Sequence, residues 1–268
     1  MTLRESPMPT VQLSRPLIIG HRGASGEAPE NTLEAFDLAI SQGADGIEFD
    51  VRLSADVVPV VIHDASLNRT TSGRGRVRNH SFLALRQLDA GSWFNYRYPR
   101  RARTPYVRCK IAKLGEVLEW VKARQCPAYL EIKQARPRYR QIEEKVLEEI
   151  YRAGVPSFVT VISFSLPTLA RLRRLDSRID LGIDCTRPLL ALRKARWVRA
   201  GCVLPHWAFA PPRFLVRAHR AGLRVIVWDL DEARWMRRRV AQGVDGIITR
   251  YPALLQEIME ETTEKNVF

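Results

Sequence analysis

The chain has 268 residues, 46% of them hydrophobic and 27% charged, a balance typical of folded globular proteins that excludes disordered and fibrous classes. Its net charge of +14 comes from an arginine excess, which suits bidentate contact with phosphate and other anions and serves solubility equally well. The longest apolar run, at 57–62, is far short of the roughly 18 residues of a membrane span, and residues 1–15 lack the apolar core of a signal peptide, so a cytoplasmic location is the default expectation.

In chain order, an N-terminal extension (1–13) leads into a first strand at Leu17-Ile18-Ile19. Asn31 is expected to cap a helix whose apolar stripe is Leu33, Phe36, Leu38, Ala39 and Ile40, stopped by Gly43. Strands are predicted at 46–51 and 57–62. From about Ala65 to Lys113 the strand-helix rhythm lapses, and the segment carries many arginines beside Trp93, Phe94, Tyr96 and Tyr98. It reads as an insertion of the kind that forms lids and binding loops, with more aromatic surface than a flexible loop carries.

Beyond it the rhythm resumes with strands at 128–132, 158–162, 181–183, 202–204, 225–228 and 246–249. Helices are predicted at 140–153, stopped by Gly154; at 166–175, with Pro167 in the first turn; and at 214–221, before Gly222. The short run at Cys202, leading into Pro205 and Pro211-Pro212, is discarded, which leaves eight strands. Eight strands alternating with helices over about 250 residues predict an α/β fold, a TIM (β/α)8 barrel, as one domain over 14–268 with the insertion (65–113) after the third strand. The four cysteines lie far apart, without metal or redox spacing, and are expected to be buried free thiols.

Catalytic groups in such a barrel come from the C-terminal ends of the strands and the loops that follow. His21 stands at such an end. Glu48 and Asp50, two apart on the next strand, present both carboxylates to one face. Two like charges on one face call for a cation, and an oxygen-bound hard divalent ion, with Glu131 as a third carboxylate, resolves the repulsion. The connection from Val51 to Asp56 is too short for a crossover helix. A hairpin mirrored about Asp56 would set residue 63 opposite residue 49, and a tight parallel connection would bring His63 to the same rim. Two histidines beside a metal suit phosphodiester cleavage, where one proton leaves the nucleophile and another reaches the departing alkoxide. Arg22 and Lys133 would stabilise charge on the phosphate oxygens, and Gly23, Gly26 and Pro29 form a loop that could let backbone amides approach it.

The strings Gly20-His21-Arg22-Gly23, Pro29-Glu30-Asn31-Thr32, Glu48-Phe49-Asp50-Val51, Val60-Val61-Ile62-His63-Asp64, Leu130-Glu131-Ile132-Lys133 and Asp245-Gly246-Ile247-Ile248-Thr249 together resemble the glycerophosphodiester phosphodiesterase family. The resemblance spans nearly the whole chain in the family's order. It implies a TIM barrel that uses Mg²⁺ or Ca²⁺ to hydrolyse glycerophosphodiesters to an alcohol and glycerol 3-phosphate. It further implies His21 and His63 as the acid/base pair and Glu48, Asp50 and Glu131 as metal ligands. Arg22 and Lys133 would contact the phosphate, with Glu30 and Trp228 also on the substrate side. Departures fall at the rim: Trp228-Asp229-Leu230-Asp231, Ser163-Phe164-Ser165, Ile111-Ala112-Lys113-Leu114 and Arg250 after Ile248-Thr249 replace the family's usual residues, so the preferred head group is open.

Two other readings remain at this point. A lysophospholipase D-type hydrolase would use the aromatic, arginine-rich insertion at a lipid interface, a peripheral membrane contact. A basic nucleic-acid-binding protein is suggested only by the pI near 10.2, and no recognised binding motif supports it.

Overall fold

The computed structural model describes residues 15–133 and 138–265; the expected extension at 1–13 lies outside them. The elements in chain order are β1 (Leu17–His21), α1 (Leu33–Ser41), β2 (Gly46–Leu53), β3 (Pro59–Val61), α2 (Phe82–Gln87), α3 (Ser92–Arg97), α4 (Leu114–Arg124) and β4 (Ala128–Ile132). The second half alternates strictly: α5 (Ile142–Ala153), β5 (Val159–Ser163), α6 (Leu166–Leu175), β6 (Asp180–Cys185), α7 (Ala191–Val198), β7 (Cys202–Pro205), α8 (Pro212–Arg220), β8 (Arg224–Val227), α9 (Ala233–Ala241), β9 (Gly246–Thr249) and α10 (Pro252–Lys265). Eight strands, β1, β2 and β4 to β9, pair in parallel and close into a ring through β1 and β2. This is the expected TIM barrel.

Two strand assignments are corrected. The discarded Cys202 run is β7, bonded to β6 and β8 in the ring. Pro205 is tolerated because it is the last residue of the strand and serves only as an acceptor, taking the Trp228 N–H at 3.3 Å. The 57–62 run, counted among the eight, lies outside the ring. Its ordered part, β3, folds back antiparallel on β2 with Val61 opposite Val51 and Pro59 opposite Leu53, which is the hairpin register mirrored about Asp56.

Side chains of Ile19, Tyr129, Ile162, Cys202, Leu204, Ile226 and Ile248 fill the barrel interior, and a larger apolar layer joins the outer face of the strands to the helices. Strands buried on both faces need no polar alternation, which is why β2, β4 and β5 are buried along their whole length. The helix predictions for 166–175 and for the Gly154 stop hold, Gly154 adopting φ 72°. The expected cap on α1 moves by one residue: Thr32 Oγ1 accepts the Ala35 N–H at 3.2 Å, while Asn31 sits at φ 60° and points its amide elsewhere.

Short helices organise the segment between β3 and α4. Leu67, Val77, Leu85 and Ile111 pack on Val60 and Ile62, and Phe94, Tyr106 and Cys109 pack on Ala28 and Ala35. The aromatic surface expected is present in part: Tyr96 and Tyr98 are exposed and Trp93 is half-buried, whereas Phe94, with Tyr106, is buried. All four cysteines are buried and unpaired. Among the described residues no helix is long and apolar enough to cross a membrane.

Candidate active site

Strand register assembles the site. His21, the last residue of β1, lies beside Glu48 on β2, and Asp50 lies beside Glu131 on β4. Glu48 and Asp50 share the inward face of β2, as period-two alternation requires. Ligand oxygens of Glu48, Asp50 and Glu131 lie within 4.8 Å of one another. The β2–β3 hairpin delivers the remaining histidine. Ile62 N–H bonds to Asp50 O at 2.9 Å, and Arg52 Nε bonds to His63 O at 2.7 Å, so His63 is held at the rim above the carboxylates.

The cations are interlaced with the acids. Lys133 Nζ is 2.8 Å from Glu131 Oε2 and 3.1 Å from Asp50 Oδ1. Arg22 Nε is 3.1 Å from Asp50 Oδ2, its NH1 group donates to Glu30 Oε1 at 2.9 Å, and its backbone N–H donates to Glu48 Oε2 at 3.0 Å. Arg22 reaches these partners with φ 56°, a left-handed conformation that its carboxylate partners hold in place. Asn31 clamps Asp50 at two points, its amide donating to Oδ2 at 2.8 Å and its carbonyl accepting the Asp50 N–H at 3.1 Å.

These contacts set the ionisation. Burial alone would raise Asp50, but Arg22 and Lys133 outweigh it and hold the carboxyl well below its usual range. Glu48 moves the other way, raised by burial and by the neighbouring charge of Asp50, and Glu131 is pushed up to about 7, chiefly by burial. A set of buried carboxylates that cannot all ionise without help fits a hard divalent cation bound through oxygen, and buried Asp50 Oδ1 makes no hydrogen bond there beside its ion pair with Lys133. Burial, then the charge of Arg22, keeps His21 neutral well below its ordinary value. Burial also lowers His63.

Around this centre lies a cleft of about 200 Å³ lined by His21, Arg22, Glu48, His63, Glu131 and Lys133 on one side, with Ile162, Phe164, Asp184, Trp228, Asp229 and Ile248 completing it. Of the nine residues singled out in the sequence, seven line the cleft. Asp50 sits beneath the others. Glu30 stands behind them, gripping Arg22 and also Arg69, whose guanidinium it meets at 2.6 and 2.8 Å. The amides expected to approach phosphate are already engaged: Gly23 N–H bonds to Gly20 O and Gly26 N–H to Arg250 O. Their lack of a side chain instead serves packing, since a Cβ would fall 2.5 Å from the Ala35 backbone at Gly23 and 2.3 Å from the Tyr251 ring at Gly26.

Several site residues escaped the sequence reading. Asp64 Oδ1 meets His63 Nδ1 at 2.6 Å, and Arg69 Nε from the insertion fixes Asp64 Oδ2 at 2.7 Å. The adjacency of Asp64 to His63 was the available signal. Asp229 Oδ2 lies 3.9 Å from His21 Nδ1. Asp184, near the end of β6, is 5% exposed, and burial followed by the charge of Glu131 raises its carboxyl well above the usual value. The two departures at the mouth compensate each other: Arg250 Nε and NH2 both meet Asp231 Oδ2 at 2.5 Å, so the Arg250 charge is neutralised on the spot.

Residues 21–254 match the glycerophosphoryl diester phosphodiesterase family. A glycerophosphodiester phosphodiesterase of Caldanaerobacter subterraneus is 32% identical over 250 residues, 91% of this chain and 98% of that protein. One from Bacillus subtilis is 31% identical over 257 residues, covering 91% and 86%. Among solved structures, an Oleispira antarctica phosphodiesterase in complex with the product sn-glycerol-3-phosphate superposes with a TM-score of 0.83 at 27% identity, covering 92% of this chain and 97% of the other. A glycerophosphodiester phosphodiesterase from Agrobacterium tumefaciens gives 0.76 at 31% identity, covering 90% and 98%. Fold, carboxylate trio and full-length similarity agree, and the chain belongs to the glycerophosphoryl diester phosphodiesterase family.

Proposed function

We propose that the protein is a metal-dependent phosphodiesterase that hydrolyses glycerophosphodiesters to an alcohol and glycerol 3-phosphate, with His21 and His63 moving the protons. The observation that carries the reading is the convergence of three buried carboxylates, two cations and two histidines on one cleft. Glu48, Asp50 and Glu131 would hold a Mg²⁺ or Ca²⁺ ion, which when bound supplies charge neutralisation and Lewis acidity at the phosphate oxygens. The all-oxygen donor set favours these ions over zinc. Arg22 and Lys133 hold the diester phosphate and stabilise the charge that builds on it.

The hydrogen bonds support distinct roles for the histidines. With Nδ1–H donated to Asp64, His63 leaves Nε2 as an acceptor facing the cleft, able to take the proton of an attacking hydroxyl or water. His21 lies between Glu48 Oε2 at 3.8 Å and Asp229 Oδ2 at 3.9 Å, carboxyl groups close enough to orient its ring toward the leaving group. It returns a proton to the departing alkoxide. A hydrolysis panel of glycerophosphodiesters and lysophospholipids, run with EDTA and metal add-back, tests the reading. Metal-restored release of glycerol 3-phosphate from the soluble diesters is expected. Cleavage of lysophospholipids alone would replace it with the lysophospholipase D reading.

A further inference from the structure

From Thr186 to Trp228 the chain has nine arginines and lysines and not one aspartate or glutamate, so this stretch alone supplies nine of the net +14. It builds α7, β7 and α8, and because β7 lies between β6 and β8 in the ring, the two helices are consecutive on the outside of the barrel. Each buries a small apolar face, Ala191, Ala195 and Val198 on α7 and Phe214, Leu215 and Ala218 on α8. What they turn outward is patterned. On α7 the stripe at i, i+3, i+4 and i+7 is Leu190, Arg193, Lys194 and Trp197; on α8 it is Arg213, Val216, Arg217 and Arg220.

The cations of this stretch are almost all uncommitted. Among the described residues, Arg224 alone of the nine pairs with a carboxylate, that of Asp180. The apolar members are as open to solvent. Trp197 is 65% exposed and makes no hydrogen bond or ring contact among the described residues, and Leu189, beside Leu190 at the start of α7, is 83% exposed. A solvated helix face gains nothing from an exposed tryptophan, two leucines and Val216, whereas a ring with an apolar body and a polar N–H suits the boundary between lipid headgroups and acyl chains.

Charge decides the partner. Cations set around apolar tips fit an anionic lipid surface, where guanidinium and ammonium groups meet headgroup phosphates while leucine and tryptophan side chains enter the layer beneath. A nucleic acid would use the charge but leave the aliphatic side chains without a stacking role. A second copy of the chain would set like charge against like. We propose that the outer face of α7 and α8, with Leu189 and Leu190 at its edge, is a peripheral docking surface for anionic membranes. It is independent of the chemistry in the cleft, since none of these residues lines it.

The test is sedimentation of the full chain with vesicles of phosphatidylcholine, alone or with about one-third phosphatidylglycerol. Binding to the anionic vesicles is expected to be about tenfold tighter or more, and to weaken as salt rises. The quadruple variant Arg193→Gln, Arg196→Gln, Arg213→Gln, Arg217→Gln is expected to weaken it about tenfold or more. Replacing the exposed Arg74, Arg76, Arg97 and Arg100 of the segment between β3 and α4 by glutamine removes the same charge and is expected to change it by less than about threefold. Leu190→Ser with Trp197→Ser leaves the charge unchanged and is expected to weaken binding about fivefold or more. Equal binding to both kinds of vesicle, or none, overturns the proposal on the wild type alone, with no variant needed to fold. Equal losses from the two arginine sets would show net charge acting without this face, undiminished binding of the Leu190 and Trp197 variant would show that nothing enters the lipid, and tighter binding to a DNA duplex than to the anionic vesicles at the same salt would give the face to nucleic acid. Each of these overturns it as well.

Discussion

One hydrogen bond, between His63 Nδ1 and Asp64, would leave Nε2 as the nitrogen for the proposed base, and Arg69 and Glu30 hold that bond in line from behind. His21→Ala and His63→Ala are each expected to lower kcat by about 100-fold or more, the scale of a positioned acid or base, with the far-ultraviolet circular dichroism unchanged. Near-normal turnover in either would remove that histidine from the chemistry. Burial lowers the His63 pKa, and a base works only when neutral, so the acid limb of kcat/KM is expected below pH 6.5. The Asp64 hydrogen bond raises the ring in opposition to burial; Asp64→Ala is therefore expected to shift that limb further down while lowering kcat, and a pH profile that does not move would contradict the positioning role. At this scale the sequence was readable where a local period did the work. Glu48 and Asp50 face one way because strands alternate. Asp184 carries no such mark: a single acid in Leu181-Gly182-Ile183-Asp184-Cys185 looks like any other until the barrel closes around it.

At the scale of elements, the β2–β3 hairpin does what a crossover helix could not, returning the chain to the rim within a few residues of leaving it. Its register was one of two solutions legible in the sequence, since so short a connection allows a hairpin or a tight parallel return. β7 did not, since a four-residue strand buried on both sides shows no alternation and its closing Pro205 resembles a breaker. The segment at 65–113 stood out by its missing rhythm, but the inward turn of Phe94 and Tyr106 depends on contacts with Ala28 and Ala35, far away in sequence. Within β6, Gly182 is closely packed against interior side chains. Gly182→Ala is expected to destabilise the barrel by about 1–3 kcal/mol through overpacking. A denaturant midpoint equal to wild type would show that Cys202, Leu204 and Ile162 can make room.

For the whole molecule, a cation held by the carboxylate trio would be coupled to the fold. Ca²⁺ or Mg²⁺ at about 100 times its dissociation constant adds about 2.7 kcal/mol to a native state that alone binds it, a rise in Tm of about 5–10 °C for a domain this large. Thermal unfolding with EDTA and with added metal measures it, and identical midpoints would argue against a cation held by Glu48, Asp50 and Glu131. The chemistry is also unevenly spread around the ring. β1, β2 and β4, with the attached hairpin, carry every group proposed to touch phosphate, whereas the ends of β5 and β8 bring Phe164 and Trp228 to the cleft. The barrel thus has a seam between β4 and β5. Variation around Phe164 and Trp228 would reshape that part of the cleft while the groups on β1, β2 and β4 stay in place, and a library confined to 163–228, which spares Asp229 beside His21, would search leaving groups without gambling the reaction itself.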